Sequence, residues 1–221
     1  MKTSAARLGL TAAILATLTT APAFAYEAGD IIVRAGATNV NPNDDSSAVS
    51  LNGSAVAGSG VSVNSDTQLG LTATYMLDSN WGIELLAATP FSHDISGKGT
   101  LAGQGKIASA KQLPPTLSAV YYFDTEGAFD PYIGAGINYT TFFSEEGEGN
   151  FTGYDVKLDD SWGLAVQAGF DVQLSENWQL NGSVRYIDIQ TDATISNGTN
   201  TYTVDVDIDP TVVSMMIGYK F

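Results

Sequence analysis

The chain alternates apolar and small or polar side chains over eight segments, which is the pattern of β-strands with two different faces. In residues 131–143, for example, Ile133, Ala135 and Ile137 share one face, while glycine, asparagine and threonine occupy the other. The pattern predicts strands at residues 30–40, 67–77, 81–91, 113–123, 131–143, 161–174, 178–188 and 211–221.

The connections between these strands alternate in length. Residues 78–80, 124–130 and 175–177 are short turns, and residues 40–65, 92–110, 144–160 and 191–209 are long loops. Short turns at one rim and long loops at the other are typical of outer-membrane barrels. Aromatic residues near the short-turn rim indicate an interfacial girdle: Trp81, Phe123, Trp178, Tyr219 and Phe221. The sequence therefore predicts an all-β fold, an eight-stranded antiparallel transmembrane up-and-down barrel.

A soluble periplasmic barrel, such as a lipocalin-like binder, is the alternative. Its apolar face would point inward and its face of small polar residues would be wet. The alternation of long and short loops and the terminal Phe221 in "GYKF" favour the membrane barrel.

The first 25 residues have the pattern of a cleaved signal peptide. Lys2 and Arg7 precede a short apolar run, and Ala23-Phe24-Ala25 forms a small-x-small cleavage site. We therefore expect two parts, a signal peptide at residues 1–25 and an outer-membrane barrel domain at residues 26–221. Export would place the barrel in the outer membrane of a Gram-negative cell.

Charge and composition exclude several classes of function. The net charge is −15 for the whole chain, and it is −17 for residues 26–221, which hold 7 basic and 24 acidic residues. Such a surface is a poor match for nucleic acid. The chain has no cysteine, so no disulfide framework is expected. No phosphate loop, metal-ligand cluster or cofactor fingerprint is present, and we expect no cofactor.

Several segments resemble the OmpW/AlkL family of small outer-membrane proteins. They are "TQLGLTATYM", "GIELLAATPF" followed by His93, "LPPTL", "PYIGAGINYTTFF", "DSWG" and "GYKF", and with the signal peptide and the strand order they cover nearly the whole chain except the loops. The resemblance implies a monomeric eight-stranded barrel that takes up small hydrophobic molecules. The alternative is a non-transporting structural or stress-response barrel that serves as a receptor for phage or bacteriocins.

The inward faces of the strands predict a lumen with two zones. Arg34, Glu84, Asp171 and Lys220 lie toward the short turns, where we expect opposite charges to pair as a periplasmic plug. The alternative is that these charges only fill the bottom of the barrel. An uncharged lining toward the long loops suits capture of a hydrophobic solute. Its predicted members are Leu86, Ala88, Pro90, Pro114, Thr116, Thr140 and Phe142.

Arg185 is a departure in this lumen, because the resemblance implies an aromatic residue at that position. An arginine there makes a purely apolar pocket doubtful and favours a ligand with a polar head.

Three prolines lie at the outer ends of neighbouring strands. Pro90, Pro114 and Pro115 cannot donate to a ladder, so they interrupt the wall of the barrel. We expect a lateral opening there, through which an apolar solute enters the outer leaflet. The alternative is a plain strand end above the bilayer.

The remaining candidates are weaker. Ser92-His93-Asp94 supplies the residue types of a catalytic triad, but adjacent residues do not easily reproduce its geometry, so no enzyme is expected. Asp205, Asp207 and Asp209 alternate onto one outward face, where they could hold divalent ions against lipopolysaccharide phosphates. The expected partners are outer-membrane lipid and lipopolysaccharide, small hydrophobic solutes, and the barrel-assembly machinery through the C-terminal strand.

Overall fold

The computed structural model describes residues 26–43 and 45–221. The predicted signal peptide lies outside these residues. The strands are β1 (Ile31–Asn41), β2 (Asp45–Ser46), β3 (Ser50–Leu51), β4 (Ser54–Ala55), β5 (Ser59–Val63), β6 (Asp66–Met76), β7 (Trp81–Ala88), β8 (Phe91–Gly99), β9 (Lys106–Leu113), β10 (Thr116–Tyr122), β11 (Phe129–Gly147), β12 (Asp155–Leu158), β13 (Ser161–Gln173), β14 (Trp178–Ile187), β15 (Gln190–Ser196), β16 (Thr201–Asp207) and β17 (Thr211–Lys220). Two short 3-10 turns span Ala102–Gln104 and Gly149–Phe151.

Eight of these strands close into a barrel. They are β1, β6, β7, β10, β11, β13, β14 and β17, and each pairs antiparallel with its neighbours along the chain. The ring closes between β1 and β17, where Ile32 is opposite Lys220 and Asn41 is opposite Thr211. The predicted eight-stranded up-and-down barrel is confirmed.

The outer face of the barrel is apolar and exposed, as the alternation predicts. Trp162 and Leu164 on β13 are 72% and 67% exposed, whereas Arg34 and Asp171 on the inner face are almost completely buried. A soluble barrel would bury its apolar residues inside. This distribution therefore matches a wall surrounded by lipid.

Aromatic rings line the short-turn rim. Trp81 packs against Tyr121 with ring centroids 5.0 Å apart, and Trp178 packs against Tyr219 at the same distance. Phe221 continues this row beyond Tyr219. In the described residues, no helix is long and apolar enough to cross a membrane.

The long connections form β-structure of their own, which the strand pattern did not predict. Residues 141–147 of β11 leave the barrel and pair with β9, which continues through β8 to β5. A second sheet has the order β12-β15-β16-β3-β4, and β2 also pairs with β16. These two outer sheets stand on the long-loop rim, and their facing sides form the largest apolar core of the described residues.

Candidate functional site

Four buried charged side chains meet in the lower half of the barrel. Arg34 pairs with Asp171 (Nη2–Oδ2, 2.6 Å) and with Glu84 (Nη1–Oε2, 3.3 Å). Glu84 pairs in turn with Arg185 (Nη2–Oε1, 2.8 Å). None of the four side chains is more than 3% exposed. We call these four residues the floor cluster, and its two positive and two negative charges balance.

Neutral polar side chains add hydrogen bonds to the Arg34 and Asp171 side of the floor cluster, whereas Arg185 Nε has no partner among the described residues. Arg34 donates to Tyr122 OH (2.7 Å) and to Thr74 Oγ1 (2.9 Å). Asp171 accepts from Asn181 Nδ2 (2.8 Å) and Tyr26 OH (2.9 Å). Buried ions are retained when charge and hydrogen bonding are both satisfied. Strands on all sides of the ring thus contribute to one network across the bore.

Gln167 ties the upper part of this network together. Its amide Nε2 donates to Glu84 Oε1 (2.9 Å), and its Oε1 accepts a hydrogen bond from Arg185 Nη2. Arg185 is predicted to line the pocket, but its guanidinium points at Glu84, so it belongs to the floor cluster.

Lys220 lies nearer the periplasmic rim. Its Nζ is 3.5 Å from Asp30 Oδ2 and 5.9 Å from the centre of the Tyr26 ring. Its side chain is 14% exposed, compared with 0% for Arg34. Lys220 thus pairs with Asp30 below the floor cluster and is not a member of it, although the strand pattern predicts Lys220 together with the other three charges.

The wall of the barrel is interrupted above the floor cluster. Pairing of β7 with β10 stops at Leu86 and Thr116, and the next pair, Phe91 with Gln112, joins β8 to β9. Residues 87–90 and 113–115 lie between these two ladders, and they include all three prolines. We call this interruption the proline gap.

The gap separates β7 from β10, but β10 remains attached to β11. The Pro115 carbonyl accepts a hydrogen bond from Tyr139 N (3.1 Å). Asn138 Nδ2 is 3.1 Å from the carbonyl oxygens of both Pro114 and Pro115. The Asn138 side chain is completely buried, and sequence reasoning missed its role although it occupies an inward position of the alternation.

The aromatic pair Tyr139 and Trp162 lies at the same level along the barrel axis as the proline gap. The two rings pack on the outer wall with centroids 4.7 Å apart. Tyr139 is also the residue whose backbone N–H donates to the Pro115 carbonyl. Tyrosine and tryptophan are enriched where the bilayer meets water.

An apolar cavity lies on the extracellular side, between the two outer sheets. Its volume is about 50 Å³. We call it the outer cavity. It is lined by Val49, Val61, Val63, His93, Ile95, Leu101, Ile107, Ala108, Ala110, Gln112, Phe142, Phe151, Val156, Leu158, Thr191, Ala193, Ile195, Tyr202, Val204, Val206 and Ile208.

Only some of the predicted lining residues lie near this cavity. Phe142 lines it. Leu86, Thr116 and Thr140 are buried in the barrel below it. Ala88, Pro90 and Pro114 belong to the proline gap or the strand end beside it.

Most of the lining comes from residues 40–65, 92–110, 144–160 and 191–209, for which the strand pattern predicts loops. The signal was present there too, because Val204, Val206 and Ile208 alternate with aspartates.

His93 is the one titratable imidazole of the chain, and it is buried in the wall of the outer cavity. Its Nδ1 lies 2.7 Å from the Asn64 carbonyl and its Nε2 lies 3.0 Å from Gln112 Nε2. Burial away from water lowers the pKa of His93, against the opposing effects of the Asn64 carbonyl and of Asp66 and Asp94. The neutral ring is therefore favoured.

The triad and metal hypotheses fit the structure poorly. His93 is buried, whereas Ser92 and Asp94 are exposed on the opposite face of β8. Asp205 and Asp207 are exposed on β16, but Asp209 is half-buried and accepts from Ile189 N (3.1 Å). Within residues 26–43 and 45–221, no group of three histidine or acidic side chains is arranged to hold a metal ion.

Comparison with known proteins agrees with this architecture. The family model described as OmpW family matches residues 27–221. Outer membrane protein W of Vibrio cholerae serotype O1 is 50% identical over 214 residues, which cover 95% of this chain and 96% of that protein. The crystal structure of the outer membrane protein OprG from Pseudomonas aeruginosa matches with a TM-score of 0.84 and 48% identity, covering 90% of this chain and 98% of that one.

A more distant relative carries a name that refers to a metabolic operon. The dibenzothiophene metabolism operon protein PahQ of Pseudomonas aeruginosa is 32% identical over 190 residues, which cover 85% of this chain and 87% of that protein. The match over nearly all of residues 26–221 shows that the chain belongs to the OmpW family and that its barrel is an outer-membrane barrel of the Gram-negative type.

Proposed function

We propose that this protein admits small hydrophobic molecules through the outer membrane. The observation that carries the proposal is the vertical order of three features: an apolar outer cavity, the proline gap, and a charged floor. A solute that leaves water gains free energy by entering an apolar cavity, at roughly 25 cal/mol for each Å² of apolar surface buried. The name of the dibenzothiophene-operon relative supports an apolar solute as well.

The floor cluster makes axial passage of such a solute unfavourable. An apolar molecule that crosses this level must separate Arg34 from Asp171 or Glu84 from Arg185, because these pairs span the bore. Breaking a buried ion pair leaves charges without compensation. The floor cluster therefore acts as the periplasmic plug in this proposal, with Lys220 and Asp30 as a further pair below it.

The proline gap provides the alternative exit. Pro90, Pro114 and Pro115 present no N–H groups, so passage of a solute there leaves no backbone donor of these three residues without a partner. Asn138 and Tyr139 satisfy the freed carbonyl groups on the β11 side, which makes an unpaired wall tolerable near lipid. The Tyr139 and Trp162 pair supports a gap at the level of the outer interface, from which an apolar solute diffuses into the outer leaflet.

The proposal is tested by closing the proline gap. We expect the triple variant Pro90→Thr, Pro114→Thr, Pro115→Thr to reduce uptake of the hydrophobic dye N-phenyl-1-naphthylamine to the rate of cells that lack the protein. Threonine restores the N–H donors and favours strand structure. Pro210→Thr makes the same exchange outside the gap and should leave uptake unchanged.

Two other outcomes would change the conclusion. Full uptake by the triple variant would exclude lateral exit while leaving hydrophobic uptake in place. No uptake by the wild-type protein, above the rate without it, would favour a structural barrel or a receptor for phage or bacteriocins.

The partners follow from the same arrangement. We propose that the barrel acts as a monomer without a cofactor, surrounded by outer-membrane lipid and lipopolysaccharide. The C-terminal strand β17, which the exposed Phe221 directly follows, is the segment proposed to be recognised by the barrel-assembly machinery.

A further inference from the structure

The lining of the outer cavity is apolar except at a few positions, and two of these form a bonded pair. Gln112 and His93 are 1% and 5% exposed, and both line the cavity. A third polar residue, Thr191, has its hydroxyl bonded to the Asp159 carbonyl (2.7 Å). Tyr202 is the fourth polar residue of the lining. Among these four residues, only Gln112 has a buried side-chain atom without a hydrogen-bond partner in the described residues.

The hydrogen bonds of His93 determine which way the Gln112 amide is oriented. A backbone carbonyl accepts hydrogen bonds and cannot donate, so His93 Nδ1 carries the hydrogen that bonds Asn64 O. In the neutral ring, Nε2 is then an acceptor. Gln112 Nε2 lies 3.0 Å from it and must be the donor.

This orientation leaves the carbonyl oxygen of Gln112 without a partner. Gln112 Oε1 is buried and accepts no hydrogen bond from the described residues. Buried polar atoms in folded proteins almost always have a partner. Five buried side-chain atoms of the described residues lack one, and of these only Gln112 Oε1 belongs to a residue that lines the outer cavity. The accessible surface of the cavity is apolar, and Gln112 Oε1 lies behind it, so a ligand that donates one hydrogen bond would reach this acceptor by displacing the apolar side chains in front of it.

The position of Gln112 fits a role at the inner end of the cavity. It lies opposite Phe91 on β8 and Phe142 on β11, so an aromatic ring flanks it on each side. It also directly precedes residues 113–115 of the proline gap. A solute that moves from the cavity toward the gap passes this acceptor.

We propose that Gln112 selects apolar solutes that carry a hydroxyl group, such as phenols and other aromatic or aliphatic alcohols. The hydroxyl donates to Gln112 Oε1 while the hydrocarbon body contacts the aliphatic and aromatic lining. A pure hydrocarbon leaves Oε1 unpaired. A carboxylate is disfavoured, because it has no hydrogen to donate and carries its charge into an apolar site. This inference rests on the proposed uptake of hydrophobic molecules and names the chemical class.

The experiment compares three ligands of nearly equal shape: 1-naphthol, naphthalene and 1-naphthoate. Binding to the full-length protein in vesicles is measured by equilibrium dialysis and corrected for partitioning into protein-free vesicles. We expect wild-type protein to bind naphthol about threefold to tenfold more tightly than naphthalene, the range of one neutral hydrogen bond, and to bind naphthoate most weakly.

A double variant removes both polar groups of the pair. Gln112→Met alone would expose His93 Nε2 as a substitute acceptor, so we combine it with His93→Leu. We expect this variant to bind naphthalene at least as well as the wild type and to lose its preference for naphthol. Thr191→Val is the matched control, since it removes a hydroxyl group that already bonds to the backbone, and it should keep the preference.

The outcomes separate the two proposals. Retention of the naphthol preference by the double variant overturns the assignment to Gln112. Equal binding of naphthol and naphthalene by wild-type protein overturns it as well, whether or not the variant folds, and leaves hydrophobic uptake intact. Binding of none of the three ligands overturns the proposed uptake and this inference together.

Discussion

At the residue scale, the floor cluster depends on matched buried charges. Arg34 contacts Asp171, Glu84, Thr74 and Tyr122, and its side chain is completely buried. Charged hydrogen bonds of this kind are stronger than neutral ones. Removal of one member leaves the charges of its partners buried without compensation. The resulting loss of stability is larger than the loss expected when the whole ion pair is replaced by apolar residues.

We therefore expect Arg34→Met to lower the free energy of unfolding by about 3–5 kcal/mol. The substitution keeps an unbranched side chain but leaves Asp171 without its main cation. Urea-induced unfolding in lipid vesicles, followed by tryptophan fluorescence, gives the measurement. Lys157→Met is the control, because Lys157 and Asp159 form an exposed pair, and such pairs contribute little. A change at Arg34 no larger than at Lys157 would contradict a stabilising network.

At the scale of the element, close approach of neighbouring strands depends on small residues on the inner face. A Cβ atom added to Gly136 on β11 would lie 2.1 Å from the Leu117 carbonyl oxygen and 2.6 Å from Ser118 Cα on β10. Backbone atoms at these distances must move. The glycines that alternate with apolar residues in "GAG" are therefore required by the wall of the barrel and not only by turn geometry.

Gly136→Ala should separate β10 from β11 and lower the free energy of unfolding by about 1–3 kcal/mol, the usual cost of overpacking. Hydrogen exchange of the amides in β10 should rise in the same variant, which localises the effect. Gly103→Ala serves as the comparison, since a Cβ atom there meets nothing within 4 Å. If both variants unfold at the same urea concentration, the close approach at Gly136 has no energetic consequence.

At the scale of the whole molecule, the ladders that close the barrel are distinct from those of the outer sheet β12-β15-β16-β3-β4. The ring of eight strands closes without any contribution from β15 and β16. These two strands instead supply much of one wall of the outer cavity, through residues such as Ala193, Ile195 and Val204. The membrane wall and the proposed binding site therefore reside in different parts of the chain.

Replacement of residues 190–207 by a short Gly-Ser turn should leave the barrel folded and abolish uptake of N-phenyl-1-naphthylamine. Circular dichroism and resistance to denaturation by detergent report on the barrel, and dye uptake reports on the cavity. A variant that folds and still takes up the dye at the wild-type rate would show that the outer cavity is not on the route of the solute.

Much of the barrel was predictable from sequence, because alternation with period two reports directly which side of a strand meets lipid. The pairing of inward charges was predictable in part. Arg34, Glu84 and Asp171 fall on inward positions near the short turns, but the direction of Arg185 toward Glu84 depends on the stagger between strands that are distant in sequence.

The chain by itself determined the eight strands, their up-and-down order, the outward apolar face and the position of the three prolines, since each depends on local patterning and on backbone chemistry. The tertiary structure alone decided that the long connections stack as two sheets around an apolar cavity, that Asn138 satisfies the proline carbonyls, and that Gln112 retains an unpaired acceptor. These features arise from contacts between segments far apart along the chain, and the spacing of residues within one segment carries no information about such contacts.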